Sequence, residues 1–238
     1  MPATSNPGIR FAWAEQLHRL PEKVRGRRLG GTVLGVNHRQ LIARERGKKL
    51  DYAATTIPTG IVALFVSDRF IEHSLMKVKP EGIQPWQYDY QRTGGKKEIT
   101  FQARFDWRNK KIQLSNQPKP QPLLLNSHDL LSFQIALMRG LYRGQKQFKF
   151  QIVDHKRIQL QELHYTHSSS MNSSLGRLDV LQLDHKAENL HYRFSFWCAR
   201  QLHFLPILIT KTEQDGDIVQ LKLKRFNKQA FSLHSPSD

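Results

Sequence analysis

The chain has 238 residues, enough for a single domain with a sizeable core. Its 37 Lys and Arg against 20 Asp and Glu leave a net charge of +17, which points to anionic partners and says nothing of fold. The single cysteine, Cys198, excludes an intramolecular disulfide framework.

Residues 1–26 read as an N-terminal arm. Pro2, Pro7 and Gly8 break its start, while Phe11, Ala14, Leu17 and Leu20 recur at spacings of three, the pattern of a short amphipathic helix. No apolar run in the chain reaches the ~18–20 residues of a spanning helix. The arm also lacks the ~7–15-residue apolar segment of a signal peptide, so read alone the sequence predicts a soluble cytoplasmic protein.

A single β-rich domain is expected over residues 27–226, ahead of a loose tail at 227–238. After the basic connector "KVRGRRLGG", period-2 patterns dominate. "TVLGV", "QLIA" and "DYAATTI" are short strand candidates. In "DRFIEHSLMKV", Phe70, Glu72, Ser74 and Met76 share one face, and Ile71, His73 and Leu75 the other. "WQYDYQ" aligns Trp86, Tyr88 and Tyr90, and "ITFQARF" answers with Ile99, Phe101, Ala103 and Phe105. Between these two runs, Gly94-Gly95 suits a tight hairpin turn, with Lys96 and Lys97 at a solvated tip.

One helix is predicted over residues 127–140, capped by Asn126 or Ser127, with Asp129 in its first turn and Gly140 or Gly144 as its stop. "KQFKFQIV" and "RIQLQELHY" resume the alternation, "THSSSMNSSLG" reads as a polar loop, and "RLDVLQL", "LHYRFSFW", "LPILIT" and "DIVQLKLKRF" follow, with "QDGD" turning the last hairpin. About twelve strands and one helix predict a mainly β fold: a large curved antiparallel sheet or incomplete β-barrel, with the helix covering its open side.

Candidates for chemistry have plain competitors. His155, His164, His167, His185 and His191 complete no ligand spacing with a cysteine or carboxylate, so neither a metal nor a cofactor is expected. Ser132 lies within the helix instead of on a strand-to-helix elbow. Cys198 reads as a small buried residue, and Asp106 as a turn residue bonding to backbone. Nothing in the sequence brings Asp106 and Asp129 together as a carboxylate pair. The glycines of "GRRLGGTVLG" precede no helix that could present its N-terminus to a phosphate. Aromatic residues interleaved with Arg92, Lys96, Lys97 and Arg104 suggest a nucleic-acid-binding β surface as an alternative. Strict alternation, however, puts the rings in the core and the charges outside.

Several stretches, in order, resemble one family: "PTGIVALFVSDRFIEHS", "PWQYDYQRTGGKKE", "FQARFDW", "DLLSFQIALM", "SLGRLDVLQL", "FLPILIT" and "QDGDIVQLKL". Together they resemble the bacterial domain of unknown function 3108, over about Tyr52 to Phe226. That resemblance implies a single β-rich domain, mostly exported to the periplasm, and no established catalytic residues. The expected role is therefore a non-enzymatic periplasmic or cell-envelope binding protein. A lipid, a glycolipid, an anionic glycan or an envelope protein would be its partner. Arg92, Lys96 and Lys97 would form a basic rim, and Trp86, Leu130, Ile135 and Met138 would line or fill the concave face.

Overall fold

The alternation in the sequence is realised as one continuous sheet. The computed structural model describes residues 9–17, 32–59, 67–95, 97–185, 192–213 and 218–227. The strands run in order β1 (Ile9–Leu17), β2 (Thr32–Arg44), β3 (Lys49–Pro58), β4 (Arg69–Lys79), β5 (Gly82–Thr93), β6 (Ile99–Asp106), β7 (Lys111–Leu114), β8 (Gln121–Pro122) and β9 (Ser127–Asp129). After the helix α1 (Ser132–Tyr142) come β10 (Gln147–Val153), β11 (Ile158–Ser173), β12 (Gly176–His185), β13 (Tyr192–Ala199), β14 (Leu205–Glu213) and β15 (Ile218–Asn227). Among the described residues that is fifteen strands, where the sequence suggests about twelve.

Their lateral order is β8 back to β2, then β1, then β15 back to β9. Neighbouring strands are antiparallel throughout, except that β9 lies parallel to β10. The two edges, β8 and β9, are consecutive in the chain, so the sheet curls until its ends approach without joining. It is an incomplete barrel. The seam is bridged near one end, where the His155 ring of the β10–β11 turn stacks on Tyr90 of β5 at 4.3 Å between centroids. Asn116 Nδ2, beyond β7, donates to the His155 carbonyl at 3.1 Å.

The structure departs from two expectations. Ile9–Leu17 is a strand, not an arm or a short helix, and it sits between β2 and β15. Its sequence also carries Ile9, Phe11 and Trp13 at period two, and a hydrogen-bonded neighbour on each side outweighs the weak spacing of three. The polar run Thr166–Ser173 is the end of β11, paired with β12 as far as Ser173 opposite Gly176. Ladder pairing there prevails over low strand propensity.

The interior is packed. Tyr52, Tyr88, Phe101, Ile112 and Leu114 are fully buried on the inner face of β3–β7. The helix lies inside the curl: Leu131 and Ile135 join that cluster, while Leu137 and Leu141 join Phe148, Phe150, Leu183 and Phe196 of β10–β13. Among the described residues, no helix is long and apolar enough to cross a membrane.

Asn126 and Ser127 do not cap α1, because both are committed to β10. Asn126 Nδ2 donates to the Lys149 carbonyl and Ser127 Oγ to Gln151 Oε1. The cap is Asp129, whose Oδ1 accepts from the amides of Leu131 (2.9 Å) and Ser132 (2.8 Å), while Ser132 Oγ accepts from the Asp129 amide at 3.0 Å. This reciprocal pair satisfies amides at the start of the helix.

The β5–β6 hairpin forms, but its last pair is Arg92 with Ile99, so the link is longer than the tight turn expected, and of its two glycines only Gly94 takes a positive φ; a close approach fixes that glycine. Gly94 has φ +80°, and a Cβ there would lie 2.3 Å from the Ser67 carbonyl oxygen. Inside α1, a Cβ at Gly140 would lie 2.4 Å from the Phe148 ring and 2.9 Å from Gln145 Oε1. Gly140→Ala is therefore expected to lower the thermal midpoint, although alanine is the better helix former by ~1 kcal/mol. Calorimetry checks this; a raised midpoint would mean that Phe148 moves aside without strain.

Candidate functional site

Strand alternation gives the curled sheet two distinct ends. The upper end carries the β5–β6 turn at Gly94 and the β10–β11 turn at Asp154–Arg157; the lower carries the β4–β5 turn at Pro80–Glu81 and the C-terminus of α1. Helix α1 fills the interior from the middle of the barrel downward. Above its first turn, the inward side chains are mostly half-buried instead of buried. They include Phe70 and Glu72 of β4, Arg92 of β5, Tyr192 and Phe194 of β13, and Lys211 of β14.

The floor of this region is a polar layer donated by five strands, β2 to β5 and β9, and the helix. Arg39 of β2 is buried; its Nη1 donates to Gln134 Oε1 of α1 and to Tyr52 Oη at 3.2 Å. Arg39 Nε donates to Asn37 Oδ1 at 2.6 Å, and Asn37 Nδ2 to Thr56 Oγ1 at 2.5 Å. Beside them, Tyr88 Oη donates to Glu72 Oε1 at 2.6 Å. Ser74 Oγ and Ser132 Oγ donate to Asp129 Oδ2 at 2.7 and 2.8 Å.

Two carboxyls thus share an interior with one guanidinium. Burial raises the pKa of Glu72, opposed by the Tyr88 hydrogen bond and the Arg39 charge and helped by the charge of Asp129. Burial also raises Asp129, against the hydrogen bonds it accepts. Both shifts follow from taking a carboxylate out of water.

The walls above are aromatic and basic. Phe70 and Tyr90 lie 6.5 Å apart, with the Arg92 guanidinium 5.7 Å from the Phe70 centroid. Across the interior, Tyr192 packs edge-on to Phe194 at 5.2 Å, and Lys211 Nζ lies 4.9 Å from the Tyr192 centroid. Arg157 Nη2 donates to Tyr192 Oη at 3.0 Å. Aromatic faces beneath cationic heads suit a ligand with an apolar body and an anionic group.

Of the rim residues suggested by sequence, Arg92 stands at this end and donates from Nε to Asp68 Oδ1 at 2.6 Å. Lys97 is exposed on the adjoining turn, and Lys96 lies outside the described residues. Of the concave-face set, Leu130, Ile135 and Met138 pack α1 into the core. Trp86 does not join them. It is the extra residue of a bulge, since Leu75 pairs with Gln87 and Met76 with Pro85, and its ring lies 5.6 Å from exposed Lys77 Nζ.

Asp106 bonds to Asn109 at a turn, its carboxylate accepting from the backbone amide at 3.0 Å and from Nδ2 at 2.7 Å, and does not meet Asp129. Asp129 shares its interior with Glu72. Tyr88, Phe101 and Phe105 are buried, so they offer no stacking platform to nucleotide bases. Cys198 is buried, and burial pushes its thiol well above the ordinary range. Among the described residues, no three His, Cys, Asp or Glu side chains converge to hold a metal ion.

Arg39, Glu72, Gln134, Tyr192, Phe194 and Lys211 belong to this region without being expected there from the sequence. One signal was available: Glu72 shares a strand face with Phe70 and Met76, which places a carboxylate among core residues.

Among curated proteins, none matches the sequence. The fold is similar to the crystal structure of a beta-barrel-like protein of domain of unknown function DUF1849 from Brucella abortus. That likeness has a TM-score of 0.60 at 12% identity and covers 93% of this chain and 98% of the other. The model of the protein family of unknown function DUF3108 matches residues 23–224, most of the chain. The chain belongs to the DUF3108 family.

Proposed function

We propose that the protein is a non-catalytic binding protein of the bacterial periplasm or cell envelope. It takes an amphipathic, anionic envelope component at the inward face of its upper end. One observation carries this reading: α1 fills the lower interior, while Phe70, Arg92, Tyr192, Phe194 and Lys211 of the upper interior remain half-buried. The ligand's apolar part would lie against Phe70, Tyr90 and Phe194, and its anionic part near Arg92 and Lys211.

The commitments of the other reactive groups support a binding role over a catalytic one. Asp129 is occupied in capping α1, Glu72 accepts from Tyr88, and the Cys198 thiol is buried. Localisation rests on the resemblance to mostly exported proteins.

Calorimetric titration with dodecyl phosphate below its micellar concentration tests the reading. Saturable one-to-one binding is expected, weakened about tenfold by Lys211→Ala and by Phe194→Ala. An unchanged affinity in both variants would remove the upper interior from the site.

A further inference from the structure

Large apolar side chains on the surface are concentrated at the lower end. Leu125 is 86% exposed, Tyr142 69% and Leu124 43%; among the described residues only Leu160 of β11, at 54%, joins them. Leu124 and Leu125 sit in the short link between the two sheet edges, and Tyr142 ends α1 at the same end of the barrel.

The link is held, so its leucines are presented in a fixed way. The Leu123 amide donates to the Lys110 carbonyl at 3.0 Å, and the Leu124 amide to Ser127 Oγ at 2.9 Å. Asn126 Nδ2 donates to the Lys149 carbonyl. The leucines are thereby strung between two lysine-bearing strands. Lys110 and Lys111 are exposed on one side, and Lys149, paired with Glu162 at 2.7 Å, lies on the other. Arg143 and Lys146 are exposed beyond the end of α1, where Arg139 and Arg143 both reach the Pro80 carbonyl.

Exposed leucines at a fixed tip, surrounded by lysine and arginine, match the two attractions of a membrane interface: apolar area for the acyl boundary and positive charge for acidic headgroups. The net charge of +17 adds long-range attraction to any anionic surface. An acidic protein would account for the charges but would not require leucines at the tip.

We propose that the lower end is a docking face for an anionic lipid bilayer, with Leu124 and Leu125 entering the acyl boundary and Lys110 and Lys111 lying among the headgroups. This face lies opposite the upper interior, and the proposal does not depend on what binds there.

Sedimentation with phosphatidylcholine vesicles, with and without about 30% phosphatidylglycerol, tests it at physiological salt. Binding is expected only to the anionic vesicles. Leu124→Ser with Leu125→Ser should weaken it about tenfold or more, since both side chains would leave the acyl boundary. These positions are exposed, so the fold should be retained, as circular dichroism will show.

Lys110→Gln with Lys111→Gln should weaken binding about tenfold or more. The same charge change at the upper end, Lys156→Gln with Arg193→Gln, should weaken it about threefold at most. Wild-type binding by the double leucine variant, equal losses from the two charge pairs, or no binding to anionic vesicles would each overturn the docking face. The second of these is the result expected of a charged surface with no preferred orientation.

Discussion

Asp129→Ala is expected to destabilise the protein by about 3–5 kcal/mol, from buried donors left unsatisfied at about 1–3 kcal/mol each and a lost helix cap of about 1 kcal/mol. The Asp129 carboxylate accepts four hydrogen bonds, from two backbone amides and two serine hydroxyls, all buried. Removing it strands those donors and uncaps the helix that fills the barrel. For a chain of this size the thermal midpoint should fall by roughly 6–20 °C.

Asp129→Asn keeps an oxygen for the Leu131 and Ser132 amides but puts an NH2 where Oδ2 accepts from two serine hydroxyls, so its loss should be intermediate. The sign with pH is also set. The folded-state pKa of Asp129 is raised, so the stability its protonated form contributes is full below the unfolded pKa near 4. It is lost as pH rises through the folded value. The wild-type advantage over Asp129→Ala should therefore be larger at pH 5 than at pH 8. Denaturant unfolding at the two values measures it, and an equal advantage at both would contradict the burial of the carboxyl.

The neighbouring residue titrates the other way. His128 is buried against Phe150, at 5.4 Å between ring centroids, with Nδ1 lacking a partner. Burial lowers its pKa to about 3. A depressed histidine contributes stability that is full above its unfolded pKa of 6.5 and is lost as pH falls toward the folded value. By pH 4 the expected loss from this group is about 3 kcal/mol.

His128→Phe retains a ring against Phe150 and has nothing to protonate. Relative to wild type it should gain stability steadily from pH 7 to pH 4, whatever its offset at pH 7. Parallel pH profiles for the two proteins would show that His128 is solvated or paired.

What the sequence disclosed follows from the range of the interactions. The β5–β6 hairpin is local, and Gly94 with the aromatic alternation around it reveals both its turn and its inward face. Asp106 at its turn, and Tyr88 and Phe101 in the core, were legible for the same reason. The helix was legible from its apolar stripe, but its start was misplaced, because β10 takes the side chains of Asn126 and Ser127. Trp86 was assigned to the wrong group because a bulge on β5 interrupts the alternation that strict period-2 reading assumes.

The polar floor shows in the sequence only at Glu72, which shares a strand face with Phe70 and Met76. Arg39 meets Gln134 across 95 residues, and no local pattern announces that pairing. Nor does local sequence show that β13 and β14 present Tyr192, Phe194 and Lys211 opposite Phe70 and Arg92. That arrangement exists only once β1 joins the two halves of the sheet, and β1 was itself read as an arm.

The most direct measurement is nuclear magnetic resonance of isotope-labelled protein titrated with dodecyl phosphate below its micellar concentration. Expected are saturable shifts at Phe70, Tyr90, Arg92, Tyr192, Phe194 and Lys211, with the outer strand faces unmoved. Shifts confined to the lower end or the outer surface, or none at excess ligand, would contradict a binding site in the upper interior.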